Sequence, residues 1–363
     1  LTFDICRGNA VAIKNGEHNL IAGCTITRPG QTGVIVDGGH DCGIFGCDIG
    51  WTGRGCTVVT GGDRKTLEPG RHFVENCDLH DFSRIERSYT PAVLLNGVGN
   101  RIAHNLMHES PHHAMRIEGN DHVVEFNEIH SVVTEGDDQS GLDIYGNPSY
   151  WGNVFRYNFW HHIGSGVACG QGGIRLDDAI SGVLMYGNIF YKCSESNFGG
   201  IQIHGGKDNI CDNNLFVDCK YGISFSPWGQ QRWEERLDTA YKPKLDEVNA
   251  FAPPYSERYP ALVHVRENAD VNMVWRNVAV NCGSFLTRDG GRELLLDNLV
   301  LAADPGFVAP DKLNFALRPH SSVLTSSVFR PIPVSEIGLY AHPLRASWPV
   351  KNEVSPSFKP LAN

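Results

Sequence analysis

Val124-Glu-Phe-Asn127-Glu-Ile has the form apolar, x, x, Asn, x, apolar, and that form returns along the chain. It is preceded by Ile21-Ala-Gly-Cys24-Thr-Ile, Ile44-Phe-Gly-Cys47-Asp-Ile, Val74-Glu-Asn-Cys77-Asp-Leu and Ile102-Ala-His-Asn105-Leu-Met. It is followed by Phe155-Arg-Tyr-Asn158-Phe-Trp, Met185-Tyr-Gly-Asn188-Ile-Phe, Cys211-Asp-Asn-Asn214-Leu-Phe and Val274-Trp-Arg-Asn277-Val-Ala. A unit of about 22 residues with loop insertions accounts for every gap, the long last one being a unit plus an insertion. Stacking gives the repeat a reason. An inward Asn at a bend can bond the backbone of its own coil and the amide of the next, satisfying groups that are costly to bury unpaired.

A second column follows each anchor, a short strand ending in Gly or its substitute: Val34 to Gly38, Thr57 to Gly61, Val93 to Gly97, Met115 to Gly119, Leu142 to Gly146, Ile174 to Asp178, Ile201 to Gly205 and Ile223 to Pro227. Alternation turns the first and third residues inward, as in Met115/Ile117 and Ile174/Leu176. Apolar spacing of two in segments of five excludes helix-based repeats. The expected fold is all-β: a right-handed single-stranded parallel β-helix, a solenoid of about 9–11 coils. It should occupy residues 1–301, with an aromatic-rich insertion at about 227–268 and a Pro-rich C-terminal cap or tail at 302–363 closing the last coil.

Composition agrees. Gly is 40 of 363 residues, and helix-forming runs are sparse. The net charge of −10, without a long basic run, argues against a nucleic-acid partner. No apolar stretch is long enough to span a membrane. The start, Leu1-Thr2-Phe3-Asp4, has no signal-peptide character and reads as a strand, so a preceding portion carrying a secretion signal is expected, with a secreted or periplasmic location. Of eleven cysteines, Cys24, Cys47 and Cys77 share the Asn column, and Cys193, Cys219 and Cys282 each fall five residues after an Asn. They read as stacked core rather than a disulfide framework.

The outward residues of the second column change character along the chain. They run Ile35/Asp37, Val58/Thr60 and Leu94/Asn96, then Arg116/Glu118, Asp143/Tyr145, Arg175/Asp177, Gln202/His204 and Ser224/Ser226. With strands about 4.8 Å apart, Arg116, Asp143 and Arg175 form one ladder and Glu118, Tyr145, Asp177 and His204 the next. The turn position usually held by Gly is Asp178 in Gly173-Ile-Arg-Leu-Asp-Asp-Ala-Ile-Ser-Gly182. Asp143 between two arginines should stay ionised, while Asp177 and Asp178 crowd each other so that one holds its proton. Carboxylates split in this way suit acid/base cleavage of a glycosidic bond. The expected catalytic residues are Asp143, Asp177 and Asp178.

The expected substrate-binding residues are Arg116, Glu118, Asp138, Tyr145, Arg175, Gln202, His204, Lys207 and His113, with Trp228 and Trp233. Asp137-Asp138, on the loop entering the Asp143 strand, suits either a rim carboxylate or a turn. His161-His162 lies on another wall and reads as packing rather than a metal site. In the insertion, Trp228, Trp233, Tyr241 and Tyr255 suit either a platform for sugar C–H faces or packing on the solenoid. The outward Ile35, Val58 and Leu94 call for a cover, from an N-terminal portion or a second subunit.

The Asp-Asp string, together with Ile203-His-Gly-Gly-Lys-Asp-Asn209, Gly152-Asn-Val-Phe-Arg-Tyr-Asn158 and Pro253-Pro-Tyr-Ser-Glu-Arg-Tyr-Pro260, resembles bacterial β-helix proteins that include glycoside hydrolase family 141, with α-L-fucosidase and xylanase members. The closing string Asp304-Pro-Gly-Phe…Asn314-Phe-Ala-Leu-Arg-Pro is similar to the last coil of many such proteins. The resemblance spans roughly residues 95 to 330. It implies two aspartates from successive coils, one in Asp177-Asp178 and the other among Asp137, Asp138 and Asp143. Relatives often carry an Asp-x-Gly-Ala type string where this chain has Gln139-Ser-Gly-Leu-Asp143.

Three functions follow from the wall. The first is a glycoside hydrolase without metal or cofactor, acting on a polysaccharide or oligosaccharide. Asp143 and Asp177 Cβ atoms should lie roughly 8 Å apart, within the inverting range of about 6.5–9.5 Å, although side chains can swing to the retaining distance. The second is a polysaccharide lyase, with Arg116, Arg175 or Lys207 neutralising a uronate, Tyr145 or His204 as base, and Ca²⁺ on the aspartates. The third is a non-catalytic carbohydrate-binding solenoid.

Overall fold

The computed structural model describes residues 1–166 and 169–346. Within them the chain winds through three parallel walls, visiting each once per coil. The first wall has eleven strands, from Thr2–Asp4 to Leu299–Leu301; the third has ten, from Leu20–Ala22 to Leu294–Leu296. Between them lies the wall that carries the second column, from Val11–Glu17 to Ser284–Thr287, with Glu68–Pro69 and Ser194–Ser196 as antiparallel side branches. This is a right-handed parallel β-helix. The alternation holds: Met115, Ile117, Leu142, Ile144, Ile174 and Leu176 are fully buried in one continuous core.

The bend between third and first walls explains the repeat. Each bend places one residue at positive φ, among them Gly23, Gly46, Asn76, His104, Phe126, Tyr157 and Gly187. The next residue turns inward. Asn158 Oδ1 accepts from the backbone N–H of Asn127 at 3.0 Å and from its Nδ2 at 2.9 Å, and Asn127 Nδ2 also donates to the Ile102 carbonyl. The same links join Asn158 to Asn188, Asn188 to Asn214 and Asn214 to Asn277. Left-handed backbone is costly for bulky residues. Here His104, Phe126 and Tyr157 stack on one another, with centroids 4.9 and 5.2 Å apart. Cys24, Cys47 and Cys77 continue the column as expected, and all eleven cysteines are free thiols.

A second ladder, not anticipated from sequence, runs along the bend between the site wall and the third wall. Cys42 N donates to His72 Nδ1, His72 N to Asn100 Oδ1, Asn100 N to His122 Nδ1, and His122 N to Asn153 Oδ1. Further on, Asn209 N donates to Asn272 Oδ1. On the outer face of the first wall His80, His108, His130 and His161 stack in register, which accounts for His161 as packing.

The insertion is helical, with α1 Gly229–Asp238, α2 Lys242–Glu247 and α3 Tyr255–Arg258. Its apolar side chains, Trp233, Leu237, Tyr255 and Leu262 among them, form one cluster with Trp151 and Ala179 of the solenoid. Among the described residues, the segment after Ala302 does not close the last coil as expected. Leu294, Leu295 and Leu296 at that end are 53%, 55% and 54% exposed. Instead the segment forms a strap running back along the first wall. Phe307, Phe315, Val323 and Phe329 cover Phe159, Ile189, Leu215, Val217, Val278 and Val280. The strap then bonds Asn213 through Arg330, Phe126 through Gly338 and Asn76 through Tyr340, before Arg345 reaches Asp48 and Ala346 N reaches the Gly46 carbonyl. The remainder of the expected cap, 347–363, lies outside the described residues.

Candidate active site

Four neighbouring strands of the site wall, Val93–Val98, Met115–Asn120, Gln139–Tyr145 and Gly170–Asp177, floor a cavity of about 530 Å³. Registers pair Arg116 with Asp143 and Asp143 with Arg175, so the first outward ladder forms as the alternation predicts; of the second, the register joins Tyr145 to Asp177. Arg116, Glu118, Asp138, Asp143, Tyr145, Arg175, Asp177 and His113 all line the cavity. Tyr89, Leu94, His112, Asp137 and Gln139 complete it.

Asp143 lies at the floor, 5% exposed. Its Oδ2 accepts from Ser140 N at 3.3 Å and lies 3.5 Å from His113 Nδ1. Burial alone would raise this carboxyl; the His113 imidazole, the Arg175 guanidinium and the Ser140 N–H outweigh it and hold the group below the usual carboxylate range. The expected flanking by two arginines is half right. Arg116 turns instead to Glu118, two residues along its own strand, at 3.2 Å, and sits over the Tyr145 ring. His113 takes the place assigned to Arg116. It comes from the loop before Met115, where strand parity gives no direction, and its ring is buried. Beside it, burial and the neighbouring His113 push the His112 imidazole down to about 3.

The Asp177-Asp178 pair lies one coil further on; Asp177 lines the cavity, whereas Asp178 stands outside its lining. Asp177 Oδ1 is bound by Arg175 Nη2 at 3.1 Å and His204 Nδ1 at 2.9 Å. The same His204 nitrogen lies 3.3 Å from Asp178 Oδ1. Asp178 has φ of 51°, in the left-handed region where the equivalent Gly97 and Gly119 also sit. Partial burial, then the charge of Asp177, raises its carboxyl, against His204, Arg236 and Arg175. Burial and both aspartates likewise raise the Tyr145 phenol. Asp177, Asp178 and His204 offer ligand atoms within 4.8 Å of one another, a set that fits a cation, although the Arg175 guanidinium already lies against Asp177.

The rim loop divides its two aspartates. Asp137 accepts from Cys169 N, Gly170 N and Gln171 Nε2, fastening one coil to the next. Asp138 stays at the surface and pairs with Arg175 Nη2 at 3.0 Å.

Other expected binding residues lie elsewhere. Gln202 is buried between Ser224, Ser226 and Arg288. His204 touches the aspartate pair but stands outside the cavity lining. Lys207 is buried, its Nζ donating to the His264 carbonyl at 2.9 Å, so it fastens the insertion rather than facing the cleft. Trp233 has no exposed surface and donates to Val265 O. Trp228 is sandwiched between Tyr241 and Arg232, with His204 at its edge. The insertion therefore packs beside the cavity through its own aromatics and contributes no residue to the lining. Tyr89 carries no signal in the sequence, since it sits in the long loop after the Asp78–His80 strand, outside any repeat.

No curated protein matches the chain. The family model described as a right-handed beta helix region matches residues 91–232, the stretch that supplies all four strands of the cavity floor.

Proposed function

We propose that the protein is a glycoside hydrolase in which Asp143 and the Asp177-Asp178 pair act from adjacent coils, Asp143 and Asp177 within the cavity lining and Asp178 beside it. The observation that carries this reading is the placement of the two carboxylate centres on adjacent coils, each held by a different basic partner. Water adds across the glycosidic C–O bond. The Asp177-Asp178 side gives a proton to the departing oxygen, with Asp178 the member whose surroundings favour the protonated form. Asp143, ionised, either takes a proton from the attacking water or attacks the anomeric carbon, and the configuration of the first product tells which. The resemblance to glycoside hydrolase family 141 supports the same chemistry.

Charge favours hydrolysis over elimination. Five carboxylates line the cavity, against Arg116 and Arg175, and both arginines are already paired. A uronate would enter a negative cavity with no unpaired cation among its described residues, whereas elimination needs that carboxylate neutralised.

The test is a panel of plant and algal polysaccharides and aryl glycosides incubated with the protein and with Asp143→Asn, Asp177→Asn and Asp178→Asn. Products should carry new reducing ends with oxygen from solvent water. Activity should fall by about 10²–10⁴ in Asp143→Asn and in at least one of the other two. An aryl glycoside with a good leaving group should restore the acid variant but not Asp143→Asn. Unsaturated products, or near-normal rates in all three variants, would overturn the reading.

A further inference from the structure

One outward column of the site wall runs in unbroken register through Ile35, Val58, Leu94, Arg116, Asp143 and Arg175. Its charged half floors the cavity described above. The apolar half floors a second cavity of about 260 Å³, and the two share Tyr89 and Leu94 at their boundary. Tyr89 is 72% exposed and leans against His112 with ring centroids 4.8 Å apart, so it stands at the junction with much of its ring open. The rim of the second cavity is polar, with Gln31, Thr32 and Thr90, and the single lining cation, Arg54, is paired with Glu86 at 2.8 Å.

An apolar floor, an open aromatic ring and a polar rim whose one cation is already paired match the two sides of a pyranose, whose C–H face is apolar and whose edge carries hydroxyls. We infer that the second cavity is a carbohydrate subsite for the neutral sugar units adjoining the one held over Asp143. The assignment rests on the glycoside hydrolase reading for its substrate class. It also gives the outward, half-buried Ile35, Val58 and Leu94 an occupant in the substrate itself. Leu94 and Asp143 are two strand spacings apart, about 10 Å, and Ile35 lies two spacings further, so one glycan chain laid along the column meets both cavities.

The full chain should be titrated calorimetrically with xylose to xylopentaose and with glucose to cellopentaose, beside Ile35→Asp and Val58→Asp. In one series, oligomers of three or more units should bind at least tenfold more tightly than the single sugar. Either variant should erase that gain and leave the single-sugar affinity within twofold. Val58→Thr keeps the shape of the side chain and replaces Val58→Asp if the charge prevents folding. The subsite is overturned if no member binds, if affinity does not rise with length, or if the rise survives both variants. It is equally overturned if the variants abolish self-association while sugar affinity stays unchanged. Turnover lost in Asp143→Asn without a length gain would remove the subsite and keep the hydrolase; a length gain with no glycan cleaved would do the reverse.

Discussion

At the scale of single residues, the site depends on two carboxyls displaced in opposite directions. Asp143 is held low, so it stays ionised until the pH falls below the ordinary aspartate range; Asp178 is held high, so it keeps its proton above that range. A plot of kcat/KM against pH should therefore be bell-shaped, its acid limb set by Asp143 and its basic limb by Asp178. In Asp178→Asn the residual activity should lose the basic limb and keep the acid one; an unchanged bell would place the acid elsewhere. Period-two alternation was enough to place Asp143, Arg175 and Asp177 on one face. It could not show that Arg116 bends to Glu118 or that His113 approaches Asp143, because long side chains and loop residues choose partners by tertiary reach.

At the scale of elements, the two bend ladders differ in how visible they were. The first repeats Asn or Cys within a fixed apolar frame and could be read directly. The second mixes His72, Asn100, His122 and Asn153, which share no obvious chemistry in sequence but present an acceptor, Nδ1 or Oδ1, at the same distance from the backbone. That role requires a neutral imidazole, and burial lowers His122 to about 4. Below about pH 6.5 the unfolded chain binds a proton that the folded one refuses, so stability falls as pH drops from about 6.5 to 4, by about 3 kcal/mol from this residue. His122→Asn, which places in the ladder the residue already used one coil later, should flatten that part of the pH dependence of the urea midpoint. An equal slope in both proteins would assign it to other groups. The insertion was legible as an interruption, yet its helices were not, since aromatic content alone does not separate a platform from a small core.

At the scale of the whole molecule, the strap carries what the coil repeat could not reveal, because its partners lie hundreds of residues away. Arg345 joins Asp48 across 297 residues, bonds the Asn76 carbonyl, and has a fully buried side chain. Arg345→Ala should cost about 1–3 kcal/mol, since it removes a buried guanidinium that pairs with Asp48 and bonds the Asn76 carbonyl. Hydrogen exchange should quicken around Gly46 and Asn76 while the Gln139–Tyr145 strand stays protected. Uniform quickening over the whole chain would mean that the strap supports the solenoid as one unit.

Solenoids ordinarily change length by gaining or losing a repeat, because each coil contacts only its neighbours. In this molecule the strap meets the bends at Asn213, Phe126, Asn76 and Gly46 in turn, like a tape pinned at intervals along a stack. A duplicated coil between any two pins would lengthen the stack by about 4.8 Å and leave the strap short. In this chain extra length is therefore accommodated more easily in loops and insertions than in a further coil between the pins.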